Sequence, residues 1–122
     1  MNQYPAERVF NVGVFSHGGA GRTTLVEAML FDSGATSRRG RVSLGTTASD
    51  TDPEEVKRHT SLTHSVIPIE YNDCKINMID TPDFADFGGD VRSAMRVVEA
   101  AIIVVDASAG VEVGTEQVWH NA

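Results

Sequence analysis

The stretch from Ser16 to Thr24 has the residue types and the spacing of a loop that binds phosphate. It reads SHGGAGRTT and lies between an apolar run and a segment with helical spacing. Such loops hold phosphate oxygens with backbone N–H groups at a helix N-terminus, and glycines let the backbone turn inward. The pattern G-x-x-x-x-G-K-[ST] is met in part: Gly21 and Thr23 match, whereas Ser16 and Arg22 replace the first glycine and the lysine. The alternative is an ordinary glycine-rich turn.

A second short motif, Asp80-Thr81-Pro82, ends a run of β-forming residues. A carboxylate in this place can hold Mg²⁺ opposite the Thr23 hydroxyl, because both groups are expected at the carboxyl edge of one sheet. Taken alone, the motif favours a strand-end carboxylate that caps a turn. Its pairing with the glycine-rich loop favours the metal role for Asp80.

Composition limits the classes of protein to consider. With 122 residues, 41% of them hydrophobic, the chain fits one domain or one piece of a larger domain. A net charge of −7 argues against nucleic-acid binding through a basic surface. The single cysteine, Cys74, excludes an intramolecular disulfide. The N-terminal residues show no signal pattern, and the longest apolar run, 100–105, is far shorter than the roughly 20 residues of a membrane span. We therefore expect a cytoplasmic protein.

The elements that must position the motifs are predicted from periodicity. Residues 9–15 are rich in β-forming residues and lead into the glycine-rich loop, and residues 23–31 have apolar side chains at helical spacing. The stretch 33–53 is rich in Gly, Ser, Thr and Asp and has no periodicity, which predicts a long mobile loop. Loops of this length are usually functional or disordered.

Two β-rich runs, 64–71 and 74–79, follow the loop. The turn between them, Asn72-Asp73, tolerates positive φ angles, so the runs should pair as an antiparallel hairpin. Pro68 has no N–H to donate to a neighbouring strand, which places the first run at the edge of the sheet. The second run is then predicted to lie inside the sheet.

The last third of the chain is predicted to hold two helices and a strand. Asp90 should cap a helix that runs to about Glu99, residues 100–105 should form a strand buried on both faces, and a last helix should begin near Thr115. The fold class is therefore α/β, with a mainly parallel sheet, one antiparallel edge hairpin and flanking helices.

In the order and spacing of its motifs, the chain resembles the translational GTPases. It is most similar to the elongation factor G branch with its paralogues and the tetracycline-resistance ribosomal protection proteins. The resemblance rests on four segments: SHGGAGRTTLVEAML, TTASDTDPEEVKRHTSL, INMIDTPDFADFGGDV and AAIIVVDASAGVEVGTEQVW. It implies a P-loop NTPase fold, the N-terminal part of a G domain spanning residues 1–122, with the P-loop at 16–24, switch I within about 33–63 and switch II at 80–89.

The resemblance also implies the site residues, with Mg²⁺ and GTP or GDP as the bound groups. The implied metal ligands are Thr23, Ser61 and Asp80. Ser61 falls on the metal-binding threonine of the family's R-G-I-T segment, although Thr60 takes this position if the alignment shifts by one. The implied nucleotide-binding residues are His17, Gly18, Gly19, Ala20, Gly21, Arg22, Thr23, Thr24 and Asp83.

Three residues depart from the family pattern at the γ-phosphate end. Arg22 keeps the positive charge of the lysine, but its planar fork cannot take the same place unchanged. Where the family has D-T-P-G-H, Asp83 puts a carboxylate at the glycine position and Phe84 replaces the catalytic histidine that orients the attacking water. The resemblance therefore implies GTP hydrolysis that is weak or depends on a partner.

Several alternatives stay open. The guanine-reading motif N-K-x-D does not occur in the 122 residues, so we expect a piece of a longer factor that acts on the ribosome, with an exposed strand edge through which the isolated piece self-associates. The alternative functions are a non-hydrolysing pseudo-GTPase that serves as a binding or scaffold module, a tetracycline-resistance-type ribosomal protection GTPase, and an unrelated P-loop ATPase. The arginines at 38, 39 and 41 fit contacts to ribosomal RNA phosphates or a solvated loop.

Overall fold

The protein is described from a computed structural model that covers residues 3–48, 53–58, 64–82 and 84–122, and its strands form a single four-stranded sheet in this part of the chain. The strands are β1 (Val9–Ser16), β2 (Ser65–Tyr71), β3 (Cys74–Asp80) and β4 (Ala100–Val104). The α-helices are α1 (Arg22–Asp32), α2 (Pro53–Arg58), α3 (Phe84–Met95) and α4 (Val113–Asn121). Two short 3₁₀ helices span Ala6–Arg8 and Val42–Leu44.

The strand order is β2-β3-β1-β4. β1 runs parallel to both β3 and β4, whereas β2 runs antiparallel to β3. Asn72 and Asp73 form the hairpin turn with φ angles of 49° and 60°, and Pro68 lies in the edge strand β2. The predicted mainly parallel sheet with one antiparallel edge hairpin is confirmed.

Successive residues of the central strands point to opposite faces of the sheet, so each strand contributes to two cores. One core contains Phe15, Ile79, Val91, Ala94 and Val118, which come from β1, β3, α3 and α4. The other contains Val14, Val26, Leu30, Ile69 and Met78, which come from β1, α1, β2 and β3. β1 is held from both faces, and the loop that follows it starts from this buried strand. Within the described residues, no helix has the length and apolarity to cross a membrane.

The start of α3 differs from the prediction. The helix begins at Phe84, so Asp90 lies inside it and the prediction that Asp90 caps a helix is wrong. The helix continues through Gly88 and Gly89, which have low intrinsic helix propensity. Val91, which follows these glycines, is 1% exposed and packs in the core, and this tertiary packing outweighs the local preference.

β4 also differs from the prediction of a strand buried on both faces. It ends at Val104 and pairs with β1 along one side, which makes it an edge strand among the described residues. Ala100 and Ala101 are exposed, and the rest of the strand is half-buried. An apolar run of this kind predicts a strand, but its burial depends on what packs around it.

The loop after α1 has more structure than the sequence predicted. A 3₁₀ turn forms at Val42–Leu44, and α2 begins at Pro53, a residue well suited to the first position of a helix. Residues 49–52 lie outside the described part of the chain. The segment from 33 to 48, called the α1 loop below, is attached to α1 by hydrogen bonds.

Candidate functional site

The glycine-rich loop joins the end of β1 to the start of α1 at the carboxyl edge of the central strand. Gly19 and Gly21 have φ angles of 79° and 90°. A Cβ at either position would meet no atom within 4 Å, so it is the backbone conformation that requires glycine here. The loop leads into the N-terminus of α1, where backbone N–H groups and the helix dipole attract anions.

Arg22, Thr23 and Asp80 meet where this loop enters the helix. Arg22 Nε donates a hydrogen bond to Asp80 Oδ1 at 2.7 Å, and Thr23 Oγ1 donates one to Asp80 Oδ2 at 2.9 Å. Arg22 Nη1 also donates to Ser16 Oγ at 3.0 Å. All four residues are buried, with Asp80 1% and Arg22 8% exposed. A buried charge is stable when it is both paired and hydrogen-bonded, and Arg22 and Asp80 meet both conditions.

The register of the sheet brings Asp80 to this point. Asp80 is the last residue of β3 and pairs with Val14 of β1. Thr81 Oγ1 donates to the backbone oxygen of Val14 at 2.8 Å and fixes the chain as it leaves β3. The two sequence motifs therefore lie at the same edge of the sheet.

Thr23 and Asp80 supply oxygen ligands of the kind that Mg²⁺ prefers. Mg²⁺ is usually held by one or two carboxylates together with substrate phosphates, rather than by a cage made only of protein groups. The described ranges contain no group of three or more His, Cys, Asp or Glu that could hold a metal ion. The donors fit a Mg²⁺ ion that arrives with a nucleotide, but Arg22 already places a positive charge on the same carboxylate.

His17 links the glycine-rich loop to α4. Its Nε2 lies 3.2 Å from Oε2 of Glu112, the N-cap residue of α4. Gly114 makes room for the imidazole, because a Cβ there would lie 2.8 Å from His17 Nδ1. The two side chains are 32% and 39% exposed, so this pair is far more accessible than Arg22–Asp80. The family resemblance implied that His17 binds nucleotide, and the sequence did not predict its contact with Glu112.

Glu27 is a buried carboxylate beside the candidate site that the sequence motifs did not indicate. The side chain is 1% exposed and accepts hydrogen bonds from the backbone N–H of Gly40 at 3.0 Å and of Ala48 at 2.5 Å. A Cβ at Gly40 would lie 2.4 Å from Glu27 Oε2, so the loop packs directly on the carboxylate. The spacing of the sequence does place Glu27 on the same face of α1 as Thr23 and Leu30, which is the buried face. A carboxylate on that face needs polar partners, and this need could have predicted the hydrogen bonds to the loop.

A cavity of about 680 Å³ lies between α1 and the α1 loop. Thr24, one of the predicted nucleotide-binding residues, lines it together with Arg39, Gly40, Arg41, Val42 and Ser43. Arg39 and Arg41 therefore line the same cavity as Thr24, a residue of the glycine-rich loop. The sequence had suggested RNA contacts or a solvated loop for these arginines, and it had not suggested this position.

Three predicted site residues fall in parts of the chain where the structure gives no side-chain information. Ser61, the predicted third metal ligand, and Asp83, at the glycine position of the D-T-P-G-H pattern, lie outside the described residues, as does the alternative ligand Thr60. Phe84 is the first residue of α3, but its side chain also lies outside the description. The roles expected for these residues stay predictions.

Comparison with known proteins identifies the family. Residues 7–122 match the elongation factor Tu GTP-binding domain. The match spans almost the whole chain, so the chain belongs to this family of GTP-binding domains of translation factors. The resemblance to the translational GTPases seen in the sequence motifs is thereby confirmed.

Two curated relatives show which branch the chain is similar to. It is 43% identical over 122 residues to the mitochondrial ribosome-releasing factor 2 of Scheffersomyces stipitis, and 39% identical over 122 residues to elongation factor G 2 of Streptomyces coelicolor. The whole chain is covered in both cases, but it spans only 14% and 18% of these relatives. The similarity thus concerns an elongation factor G-like G domain.

Solved structures confirm the fold. A protein of Thermus thermophilus matches 94% of the chain with a TM-score of 0.90 and 40% identity, and the match covers 17% of that protein chain. The bacterial selenocysteine-specific elongation factor EF-Sec matches 93% of the chain with a TM-score of 0.74 and 22% identity, again over 17% of its own length. At this lower identity, EF-Sec shows the shared fold alone.

Proposed function

We propose that the chain is the nucleotide-binding part of an elongation factor G-like factor that binds GTP or GDP with Mg²⁺ and acts on the ribosome. The observation that carries this proposal is the meeting of Arg22, Thr23 and Asp80 at the N-terminus of α1. Membership of a GTP-binding family supports a guanine nucleotide, and relatives named elongation factor G and ribosome-releasing factor 2 support a ribosomal partner. A cytoplasmic location is part of the proposal.

In this proposal the glycine-rich loop is the P-loop, residues 33–63 contain switch I and residues 80–89 form switch II. The loop backbone and the N-terminus of α1 bind phosphate oxygens, and Arg22 adds a positive charge. Thr23, Ser61 and Asp80 hold the metal ion, which when bound neutralises charge on the phosphates.

Nucleotide binding is tested by titrating the protein with a fluorescent GDP analogue in the presence of Mg²⁺, with the ADP analogue as the control for the base. We expect saturable GDP binding and ADP binding that is weaker by about tenfold or more, equivalent to at least about 1.4 kcal/mol. Thr23→Ala should weaken GDP binding because it removes a metal-binding hydroxyl, whereas Ser93→Ala on the exposed side of α3 should not. No saturable binding of GDP at any concentration up to the millimolar range would contradict the proposal.

Hydrolysis is proposed to be weak or to depend on a partner. The motivating observation is that Asp83 and Phe84 replace the glycine and histidine of the family pattern. The double variant Asp83→Gly/Phe84→His should raise GTP turnover measured by phosphate release with and without ribosomes, because it restores a group that orients water. Phe31→His, at an exposed position of α1, serves as the control. Equal turnover in the double variant and the wild type would argue against this explanation.

A non-hydrolysing pseudo-GTPase is the second candidate, and the Arg22–Asp80 pair favours it. Both oxygens of Asp80 already accept hydrogen bonds from neighbouring side chains, so a nucleotide-bound metal must compete with them. Calorimetry with GDP and Mg²⁺ separates the candidates. Micromolar binding would contradict a scaffold that has lost its nucleotide.

We also propose that the isolated 122-residue chain self-associates along β4. This strand presents an edge in the described structure, and Val97 and Val105, which precede and follow it in the chain, are 56% and 42% exposed. Sedimentation velocity across the micromolar range should show dimers or larger species. Ala101→Lys, which places a charge on the edge strand, should reduce the association. A monomer at every concentration would contradict the proposal.

A further inference from the structure

We propose that Arg22 is an internal cation that competes with Mg²⁺ for Asp80, so that nucleotide binding by this protein depends less on Mg²⁺ than it would with lysine at position 22. This inference rests on the proposed function, since it concerns the same nucleotide site. It assigns a specific role to the residue that departs from the phosphate-loop pattern.

The geometry holds the guanidinium on the carboxylate from two directions. Arg22 uses Nε to donate to Asp80 Oδ1 at 2.7 Å and a different nitrogen, Nη1, to donate to Ser16 Oγ at 3.0 Å. A guanidinium spreads its donors over a planar fork, whereas an ammonium carries its donors on one nitrogen. Arginine can therefore be fixed here in a way that lysine cannot reproduce.

The two departures from the strict phosphate-loop pattern contact each other. Ser16 stands where the pattern has its first glycine, and Arg22 stands where it has lysine. The Ser16 hydroxyl is the group that accepts the second hydrogen bond of Arg22, and Ser16 is only 2% exposed. The serine thus keeps the guanidinium turned towards Asp80, and the two substitutions act as one unit.

The charge balance then disfavours a metal ion. Asp80 and Arg22 are 1% and 8% exposed, so water screens their attraction weakly. A divalent cation that approaches Asp80 meets a carboxylate already neutralised by Arg22, and it must break a buried pair or share the carboxylate with another cation. The nucleotide phosphates in turn find the backbone N–H groups and the positive end of the helix dipole at the N-terminus of α1 even without the metal.

The test measures the affinity of the protein for the fluorescent GDP analogue in Mg²⁺ and in EDTA. The gain in affinity from Mg²⁺ should be smaller for the wild type than for Arg22→Lys, by about tenfold, because lysine leaves Asp80 more available to the metal. Ser16→Ala should increase the gain by a smaller amount. Arg96→Lys, at an exposed position, is the matched control and should behave as the wild type.

A second measurement needs no nucleotide. Mn²⁺ binding, followed by electron paramagnetic resonance, should be tighter in Arg22→Met than in the wild type, because Asp80 loses its competing cation. Far-UV circular dichroism checks that Arg22→Met is folded. If Arg22→Met does not fold, the Mn²⁺ measurement is made on Arg22→Lys. In Arg22→Lys the gain in Mn²⁺ affinity should be smaller, since the positive charge remains.

The outcomes separate the inference from the proposed function. If GDP binds to wild type and Arg22→Lys with the same dependence on Mg²⁺, the inference is overturned and the function stands. If GDP binds to neither protein, the proposed function fails together with the part of the inference that concerns nucleotide binding. The Mn²⁺ measurement then tests only whether Arg22 competes with a metal ion for Asp80. Equal Mn²⁺ affinity in the wild type and the folded Arg22 variant overturns the inference.

Discussion

Asp80 and Glu27 are two carboxylates with the same exposure, 1%, but they hold different parts of the site. Asp80 accepts hydrogen bonds from side chains of α1, one of which is the oppositely charged Arg22, so it ties β3 to the helix. Glu27 accepts hydrogen bonds from two backbone N–H groups of the α1 loop. A buried charge pair therefore holds β3 against α1 on one side of the site. On the other side, the α1 loop is held against α1 by hydrogen bonds from its backbone N–H groups.

Removing the charge of Asp80 should have the largest effect. Asp80→Asn keeps the shape of the side chain but leaves Arg22 buried without its counterion, which should lower the free energy of unfolding by about 3–5 kcal/mol. Urea unfolding followed by circular dichroism measures the change. Asp73→Asn is the control: Asp73 pairs with Arg8 at the surface, and its loss should cost no more than about 1 kcal/mol. Equal effects in the two variants would show that burial of the Asp80 pair is unimportant.

Glu27→Gln should have an intermediate effect that is confined to the α1 loop. The amide keeps one acceptor oxygen, so one backbone N–H of the loop loses its partner at a cost of about 1–3 kcal/mol. Trypsin should then cleave faster after Arg38, Arg39 and Arg41, as measured by mass spectrometry of the fragments. Glu116→Gln on the exposed side of α4 is the control. Unchanged cleavage rates would mean that Glu27 does not restrain the loop.

His17→Ala tests the contact between the glycine-rich loop and Glu112 of α4, which is only partly buried. The side chains of His17 and Glu112 are 32% and 39% exposed, so loss of the pair should change the free energy of unfolding by no more than about 1 kcal/mol. The expected urea midpoint is close to that of the wild type. A loss as large as that of Asp80→Asn would show that the contact with α4 is as important as the buried pair.

Ser108→Ala should have the smallest effect, at a surface carboxylate beyond β4. Hydrogen bonds from the Ser108 hydroxyl at 2.6 Å and from its backbone N–H at 2.7 Å lower the pKa of Asp106 below 3.8. The variant should raise this pKa towards 3.8, which NMR titration of the carboxyl carbon measures. Because the folded-state pKa is lowered, the hydroxyl stabilises the protein above the unfolded-state pKa, and this stabilisation is lost as the pH falls through the folded-state value. A pKa that does not move would contradict the assignment.

Much of the fold was predictable because its signals are local. The hairpin turn at Asn72 and Asp73, the edge position of β2 and the strand-loop-helix unit around Gly21 all depend on neighbouring residues, and all are present. The start of α3 was not predictable, because Gly88 and Gly89 disfavour a helix locally and packing decided otherwise. The site divides in the same way: the residue types of the glycine-rich loop indicated phosphate chemistry, but they did not indicate where each side chain points.

The order of the four strands, the glycine-rich loop, the D-T-P motif and the family can all be inferred from the sequence alone. These are properties of short segments and of their spacing along the chain. Tertiary structure decided that Arg22 faces Asp80 and that Glu27 holds the α1 loop. Such contacts join residues that are far apart in the sequence, and they depend on sheet register and on the packing of α1, which no local pattern encodes.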